Sequence, residues 1–389
     1  MIQSSSKNLS FYLLLLLLSG CVTNPLPNRT EEDSLVTTNF NKQKDHLEVL
    51  TISGGGHRAA QYSLGVLLAL DAIKISDDRS LLDEIDVVSS VSGGSAGIAA
   101  YVSAYVNSRC RNGADPSSVF NLFKDEKTRL DILAEAWADD IATGLVPGTD
   151  NLDTLERGYF KRLTDISACG NDTYLATDDL TSTINSGTQN PTVTTQKIVT
   201  PFVHLVNATN SKTGKVFPFA NLSPNPSAQH THLFDSASVY DRISCFWVRD
   251  RWEPTGQKKI PYSLALAASA ALPPLINDAR FKVDGNGCNG GQYLTLTDGG
   301  LADDNGHDTA QAYVTKYFNG KANKRALVIS LDNLIDTTSD FHDTDTRDGF
   351  LETLLMRNTN LPRYSKKRAQ KTELQICKAE ASWCDANLQ

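Results

Sequence analysis

The chain has 389 residues, of which 40% are hydrophobic and 21% charged, and its formal net charge is −8. This composition is ordinary for a globular protein, and the length suffices for one large α/β domain or two smaller ones. The negative charge, together with the lack of a long Lys/Arg run, argues against a nucleic acid or a charge-held anionic membrane as a partner.

The first 20 residues predict a signal peptide. The apolar run Phe11–Leu18 is too short to span a bilayer. It leads into LSGC, which ends at Cys21 and resembles the lipobox of bacterial lipoproteins. The resemblance implies that Cys21 is lipidated and becomes the mature N-terminus. Val22 is not Asp, which implies the outer membrane of a bacterial cell envelope. A soluble secreted protein, cleaved near small residues, is the alternative.

Three further segments complete the predicted organisation. Residues 21–45 are polar, contain two prolines, and predict a tether between lipid and domain. Residues 46–335 predict the main domain. Residues 336–389 are charged and mixed, and they predict a partly helical C-terminal extension.

The main domain opens with two strand–loop–helix units. LEVLTIS (47–53) predicts a strand that ends at Gly54–Gly56, and residues 58–73 predict a helix with leucines at helical spacing. IDVVSSVS (85–92) predicts a buried parallel strand, and the apolar periodicity after Ser95 predicts a helix that starts at this serine. Two such units in succession indicate a parallel sheet with right-handed crossovers.

The later elements continue the α/β pattern. Ser269 and the alanines around it are expected to permit close helix packing rather than to take part in chemistry. The predicted elements are a strand within 197–209, a hairpin continuing through TGKVFPFANL, a helix within 260–276, a strand at 292–297, a helix at 307–318 and a strand from 325.

Cysteine usage fits an exported protein. Without Cys21 six cysteines remain, an even number that permits three disulfides in an oxidising compartment. Cys377 and Cys384 are the first expected pair, because they are close in sequence and far from the other four. Buried free thiols are the alternative, and the absence of C-x-x-C gives no support to a zinc or redox motif.

Three motifs carry candidate chemistry. Gly93–Gly97 spells G-x-S-x-G, which can place Ser95 on a sharp strand-to-helix turn. The Gly54–Gly56 loop precedes a helix, so its N–H groups can bind an anion. The loop fits either of two sites. It could bind a phosphate, since Gly54, Gly56 and Ala59 match the dinucleotide-binding pattern G-x-G-x-x-A, or it could form an oxyanion hole. A serine on the neighbouring strand favours the oxyanion hole, because acyl transfer needs both parts. Asp298 begins a D-G-G turn after a strand.

The segments SGGGHRA, VSGGSAG, ALAASAALPPLI and TDGGLADDNG, in this order and spacing, resemble the patatin-like phospholipases over about residues 47–335. The resemblance implies a three-layer α/β/α fold with a mainly parallel central sheet, and it makes residues 46–335 the catalytic domain. It implies a serine acyl hydrolase that cleaves phospholipids or other lipid esters, with no cofactor and no metal.

The resemblance also assigns roles to residues. Ser95 is the expected nucleophile and Asp298 its base. Gly54, Gly55 and Gly56 are the expected oxyanion hole. Arg58 is expected to order this loop or to contact a phosphate.

The two side chains of the expected dyad should emerge at the same edge of one parallel sheet and form a direct hydrogen bond. Partial burial should raise the pKa of Asp298, because a carboxylate near its usual pKa is a weak base. His57, in the loop, is expected to be structural or to face the substrate. One rival is an α/β-hydrolase triad that uses His307 or His342, and another is a catalytically inactive outer-membrane scaffold.

Overall fold

The structure is a computed structural model. It describes residues 46–77, 79–112, 118–135, 137, 150–166, 174–175, 181–183, 195–197, 201–220, 243–248, 251–254, 260–318, 325–331 and 373–378. The predicted signal peptide, Cys21, the tether, Cys169, Cys384 and His342 lie outside the described residues.

The main domain opens with two strand–helix units, as the sequence predicts, and a run of further helices follows them. The strands are β1 His46–Ile52, β2 Lys74–Ser76, β3 Arg79–Ser80, β4 Val87–Val91, β5 Tyr174–Leu175, β6 Thr181–Thr183, β7 Thr195–Lys197, β8 Val203–Asn210, β9 Val216–Ala220, β10 Ile243–Val248, β11 Arg251–Pro254, β12 Ile260–Pro261, β13 Ala279–Val283, β14 Gln292–Asp298, β15 Arg325–Leu331 and β16 Glu373–Lys378. The helices are α1 Gly56–Ala72, α2 Ser92–Asn112, α3 Val119–Asp125, α4 Lys127–Ala134, α5 Asn151–Leu155, a π-helical turn Glu156–Phe160, α6 Lys161–Leu163, α7 Tyr262–Ser269 and α8 His307–Phe318, with 3₁₀ turns at Leu82–Glu84 and Gly299–Leu301.

One large mixed sheet organises the described residues. Its ten strands run in the order β11-β10-β13-β14-β8-β4-β1-β15-β16, with β9 also paired to β8. The central strands β8, β4, β1 and β15 are parallel to one another. The pairs on either side are antiparallel. The predicted α/β class and the parallel centre of the sheet are therefore confirmed. The antiparallel strands on both sides of this centre make the whole sheet mixed.

Helices cover both faces of the parallel centre. Successive residues of a strand point to opposite faces, and every residue of β4 is buried. Ser89 of β4 lies against Gly306, just before α8. Ser90 bonds to His204, which in turn contacts Tyr262 at the start of α7. The sheet is therefore the middle layer of three, which is why most residues of its central strands are apolar or small.

Helices α1 and α2 pack backbone to backbone. A Cβ added to Gly97 of α2 would lie 2.3 Å from the Ala60 carbonyl oxygen of α1. Only glycine allows such a close approach, so the second glycine of the G-x-S-x-G pattern serves helix packing.

Three features differ from the sequence-based expectations or refine them. Helix α2 starts at Ser92, three residues before the predicted Ser95. Strand β14 runs antiparallel to β8 rather than joining a parallel sheet. The C-terminal extension was expected to be partly helical, and its one described stretch is the edge strand β16.

A disulfide joins Cys245 of β10 to Cys288, with a Cα–Cα distance of 5.3 Å. It supports the expectation of disulfide bonding. The proposed Cys377–Cys384 pair remains a prediction, because Cys384 lies outside the described residues. None of the helices in the described part of the chain combines the length and the hydrophobicity that a membrane span requires.

Candidate active site

The turn between β4 and α2 has the geometry of a strained nucleophile elbow. Ser92, directly after Val91, has a φ of 48°, which lies in the left-handed region. This conformation costs a non-glycine residue about 1–2 kcal/mol, so it persists only where the surroundings enforce it. A Cβ on the next residue, Gly93, would lie 1.9 Å from the Gly56 carbonyl oxygen. The elbow therefore packs directly against the glycine loop.

Ser92 bonds to a buried carboxylate. Its hydroxyl donates to Asp298 Oδ2 at 2.8 Å, and the Gly300 N–H donates to Asp298 Oδ1 at 2.8 Å. Within the described ranges, no histidine is hydrogen-bonded to either Ser92 or Asp298. The arrangement is a direct serine–aspartate pair.

Antiparallel β14 brings Asp298 to the elbow. Its last residue, Asp298, pairs with Ala208 of β8, and the adjacent Asn207 pairs with Val91 of β4. The strand therefore approaches from beyond the C-terminal edge of the parallel strands and ends there. A Cβ on Gly299 would lie 2.0 Å from the Asn207 carbonyl oxygen, which explains the glycine after Asp298.

Burial changes the acidity of Asp298. Loss of solvent raises the pKa of its carboxyl from 3.8 to about 6, although the hydrogen bonds from Ser92 and Gly300 lower it in part. A carboxylate with this pKa is a stronger base than an exposed one, and it is still mostly ionised at neutral pH. The sequence-based expectation of a raised pKa is confirmed.

The predicted hydrogen bond between Ser95 and Asp298 is wrong, and the serine that contacts Asp298 is Ser92. Ser95 has no accessible surface and accepts a hydrogen bond from Ser90 at 2.9 Å. The physical reason is the early start of α2, which puts Ser95 inside the first turn of the helix. Ser92 keeps 7% of its surface accessible at the turn itself.

A chain of buried polar groups lies behind the first turn of α2. Ser90 Oγ is 2.6 Å from His204 Nε2, and His204 Nδ1 contacts the Tyr262 hydroxyl. Burial lowers the pKa of His204 to about 3, so the ring is neutral. Because Ser90 donates to Ser95, we infer that Nε2–H donates to Ser90 and that the Tyr262 hydroxyl donates to Nδ1.

The glycine loop offers N–H groups next to Ser92. The Gly54 N–H donates to the Asp304 carbonyl oxygen at 3.1 Å, so it is already used. Gly55 and Gly56 have φ values of 134° and 61°. Their N–H groups, at the start of α1, form no hydrogen bond with other described residues. A Cβ on Gly54 would lie 3.2 Å from Ser92 Cβ, which places the loop beside the elbow.

The two polar residues after the loop are differently placed. Arg58 is exposed, and its side chain forms no hydrogen bond or ion pair with the described residues. His57 Nε2 lies 3.1 Å from the Ala134 carbonyl oxygen and 3.2 Å from the Gln61 amide nitrogen. His57 is therefore held to the neighbouring helix.

Sequence reasoning missed Ser92 and His204, and it assigned Ser269 to helix packing alone. Ser92 could have been found because Gly93 follows it at once and the β-branched run ends at Val91. His204 is a polar residue inside a predicted buried strand, which was a usable signal. For Ser269, nothing in the alanine-rich segment indicated a contact with Ser92. Its hydroxyl accepts a hydrogen bond from the Ser92 N–H at 2.8 Å.

The family model described as Patatin-like phospholipase matches residues 50–310, a span that holds the glycine loop, the elbow and Asp298. This match covers more than half of the chain, so the chain belongs to the patatin-like phospholipase family.

Curated proteins and solved structures were also compared with the chain. A search of curated proteins found no match. Among solved structures, the crystal structure of VipD from Legionella pneumophila is similar at 13% sequence identity and a TM-score of 0.24. That alignment covers 72% of this chain and 51% of the other, so the chain spans about half the length of that structure. At this TM-score the likeness carries no argument.

Proposed function

We propose that the chain is a lipid acyl hydrolase in which Ser92 is the nucleophile and Asp298 its base. Family membership supports lipid acyl hydrolase activity. The observation that carries the assignment is the 2.8 Å hydrogen bond from Ser92 Oγ to Asp298 Oδ2 at a strained elbow. A nucleophilic serine needs an adjacent group that takes its proton, and this carboxylate is in hydrogen-bonding reach.

The reaction proceeds in two half-reactions. Asp298 takes the hydroxyl proton as Ser92 Oγ attacks the ester carbonyl carbon. The carbonyl oxygen becomes an oxyanion that accepts hydrogen bonds from the free N–H groups of Gly55 and Gly56, and one such donor typically contributes about 3 kcal/mol. Asp298 then passes its proton to the leaving alcohol. In the second half, Asp298 takes a proton from water as the water oxygen attacks the acyl carbon. The bond between that carbon and Ser92 Oγ then breaks, Asp298 returns the proton to Ser92 Oγ, and the fatty acid is released.

The substrate class is phospholipids or related lipid esters. Arg58 is an exposed cation two residues after Gly56, which suits it to a substrate phosphate, since guanidinium groups bind phosphate oxygens in a bidentate manner. Arg58→Ala should therefore weaken turnover of a phospholipid more than turnover of a neutral ester.

Two measurements on the purified protein test the activity. Incubation with defined phospholipids, followed by lipid analysis, should show fatty acid release and identify the ester that is cut. Labelling with a fluorophosphonate, mapped by mass spectrometry, should modify Ser92. Absence of both release and labelling would favour an inactive scaffold, and modification of Ser95 instead would refute the assignment of Ser92.

We also propose attachment to the bacterial outer membrane through lipidated Cys21, which would keep the enzyme near lipid. The support is the leucine-rich run that ends in LSGC. Replacing Cys21 with Ser should abolish metabolic lipid labelling and leave the precursor unprocessed. Equal labelling of both forms would contradict this proposal.

A further inference from the structure

The C-terminal end of α7 contacts both members of the proposed dyad. Ser269, the last residue of this helix, has no accessible surface. Its hydroxyl accepts a hydrogen bond from the Ser92 N–H at 2.8 Å. Two residues later, the Ala271 carbonyl oxygen accepts from the Asp298 N–H at 3.0 Å. One short segment therefore holds the backbones of the nucleophile and of its base.

The Ser269 hydroxyl is fixed in orientation because both of its hydrogen-bonding roles are used. It accepts from Ser92 and donates its proton to the Asn207 carbonyl oxygen. A Cβ on Gly299 would lie 2.0 Å from the same carbonyl oxygen, so Asn207 also contacts the turn that carries Asp298. Direct contacts therefore connect the elbow at Ser92 to Ser269, Ser269 to Asn207, and Asn207 to the D-G-G turn.

The backbone of Ser92 is the point that needs such support. Its left-handed conformation is disfavoured for serine, and the following residues are glycines that impose no conformation of their own. A hydrogen bond to the amide of Ser92 itself fixes the direction in which its side chain leaves the turn. It also occupies the Ser92 N–H, which leaves oxyanion binding to other N–H groups.

We propose that Ser269 is a positioning residue, which holds the amide of Ser92 so that the Ser92 hydroxyl stays aligned with Asp298 for proton transfer. Ser269 itself contacts neither substrate nor reacting atoms. This inference rests on the proposed function, because it takes Ser92 as the nucleophile. A purely structural role would instead be limited to satisfying a buried amide, with an effect on stability alone.

Matched variants on α7 separate the two roles. Ser269→Ala removes the hydroxyl, and Ser269→Thr keeps it. Ser263→Ala is the control, since Ser263 is a buried serine of the same helix whose hydroxyl bonds to Glu156 instead. For each variant, kcat and KM on a soluble ester, the rate constant of fluorophosphonate labelling at Ser92, and the Tm are measured.

Ser269→Ala should lower kcat and the labelling rate constant together by about 10- to 100-fold, because small displacements of a reacting group have effects of this size. KM should change by less than about twofold, since no substrate contact is lost. Ser269→Thr should recover most of the labelling rate. Ser263→Ala should lower Tm while it leaves labelling unchanged.

Wild-type labelling and kcat in Ser269→Ala, or an equal loss in Ser263→Ala, would overturn the inference. If Ser269→Ala does not fold, Ser269→Cys replaces it, because a thiol keeps the volume but accepts hydrogen bonds weakly. Normal labelling in that variant would likewise overturn the inference. Failure of the proposed function is distinct, because wild-type protein would then show no labelling at Ser92.

Discussion

Ser92 and Ser95 lie three residues apart at the start of α2, and they differ in backbone geometry and in partners. Ser92 has a positive φ, partial access to solvent and a carboxylate as its hydrogen-bond acceptor. Ser95 lies in the regular helix with no accessible surface, and its partner is another hydroxyl. The difference teaches that the serine within the G-x-S-x-G pattern is not necessarily the serine at the strained turn, and that only the serine at the turn contacts the carboxylate of Asp298.

Replacing the two serines one at a time gives the largest expected contrast. Ser92→Ala should lower kcat by about 10⁴-fold or more, because no other hydroxyl contacts Asp298 among the described residues. Ser95→Ala should keep turnover within about threefold and lower the free energy of unfolding by about 1–3 kcal/mol, since Ser90 loses its acceptor. Ester hydrolysis and denaturant unfolding of both variants measure this. Equal inactivation of two folded variants would contradict it.

The same contrast extends to two buried aspartates. Asp298 accepts from Ser92, whereas Asp303 accepts from the N–H and the hydroxyl of Thr309 and caps α8. Asp298→Asn should lower kcat by about 10⁴-fold, because an amide of the same shape cannot take a proton. Asp303→Asn should lower the Tm but leave kcat within several-fold. Turnover and thermal unfolding are measured side by side, and an active Asp298→Asn protein would exclude the dyad.

The pH dependence offers a smaller effect that tests the base directly. Burial raises the pKa of Asp298 to about 6, and only its deprotonated form accepts the Ser92 proton. The ratio kcat/KM should therefore fall about tenfold per pH unit below about pH 6 and be level above it. Burial also raises the pKa of Asp303 to about 6, so Asp303→Asn is the control. If its midpoint moves away from that of the wild type, Asp303 and not Asp298 controls the profile.

Glycine substitutions test whether activity requires the close contact between the elbow and the glycine loop. A Cβ at Gly93 would lie 1.9 Å from the backbone oxygen of Gly56, so Gly93→Ala must move the loop that carries the proposed oxyanion donors. We expect about a tenfold loss of kcat and about 1–3 kcal/mol of stability. Gly65→Ala is the control, because nothing lies within 4 Å of a Cβ there, and it should stabilise α1 by about 0.5–1 kcal/mol. Equal kcat in the two variants would show that the contact is not needed.

Sequence reasoning reached the sheet and its two glycine-rich turns because their signals are local. Runs such as LEVLTIS and IDVVSSVS combine β-branched residues with a glycine-rich stop, and both fold as parallel strands. The serine at the elbow was harder to predict, because Ser90, Ser92 and Ser95 lie close together in the sequence and only Ser95 is the serine of the G-x-S-x-G pattern. Which one occupies the elbow depends on where α2 begins, and a positive φ at Ser92 is enforced by long-range contacts with Asp298 and Ser269.

The direction of β14 could not be read from sequence either. Residues 292–297 predict a strand in isolation, but pairing with β8 and β13 decides whether it runs parallel or antiparallel. Asp298 still reaches the elbow, because an antiparallel strand that overlaps only the end of β8 stops at the same edge. The sequence predicted Ser95 as the serine that meets Asp298 at this edge, whereas the structure places Ser92 there.

Histidine replacements should have the smallest effects, and they separate the dyad from a triad. In the described part of the chain no histidine bonds to Ser92 or Asp298. His57 is bound to the Ala134 carbonyl oxygen, so His57→Ala should cost a few-fold in kcat by loosening the loop. His307→Ala and His342→Ala should keep turnover close to wild type.

These three variants are compared with Ser92→Ala in one ester hydrolysis assay, with circular dichroism to verify folding. The comparison is decisive for His342, which lies outside the described residues and could still supply a triad base. A triad histidine takes the serine proton itself, so its loss would reduce turnover as far as loss of the nucleophile. A folded His307→Ala or His342→Ala protein as inactive as Ser92→Ala would therefore replace the dyad with a triad, whereas retained turnover leaves Asp298 as the base.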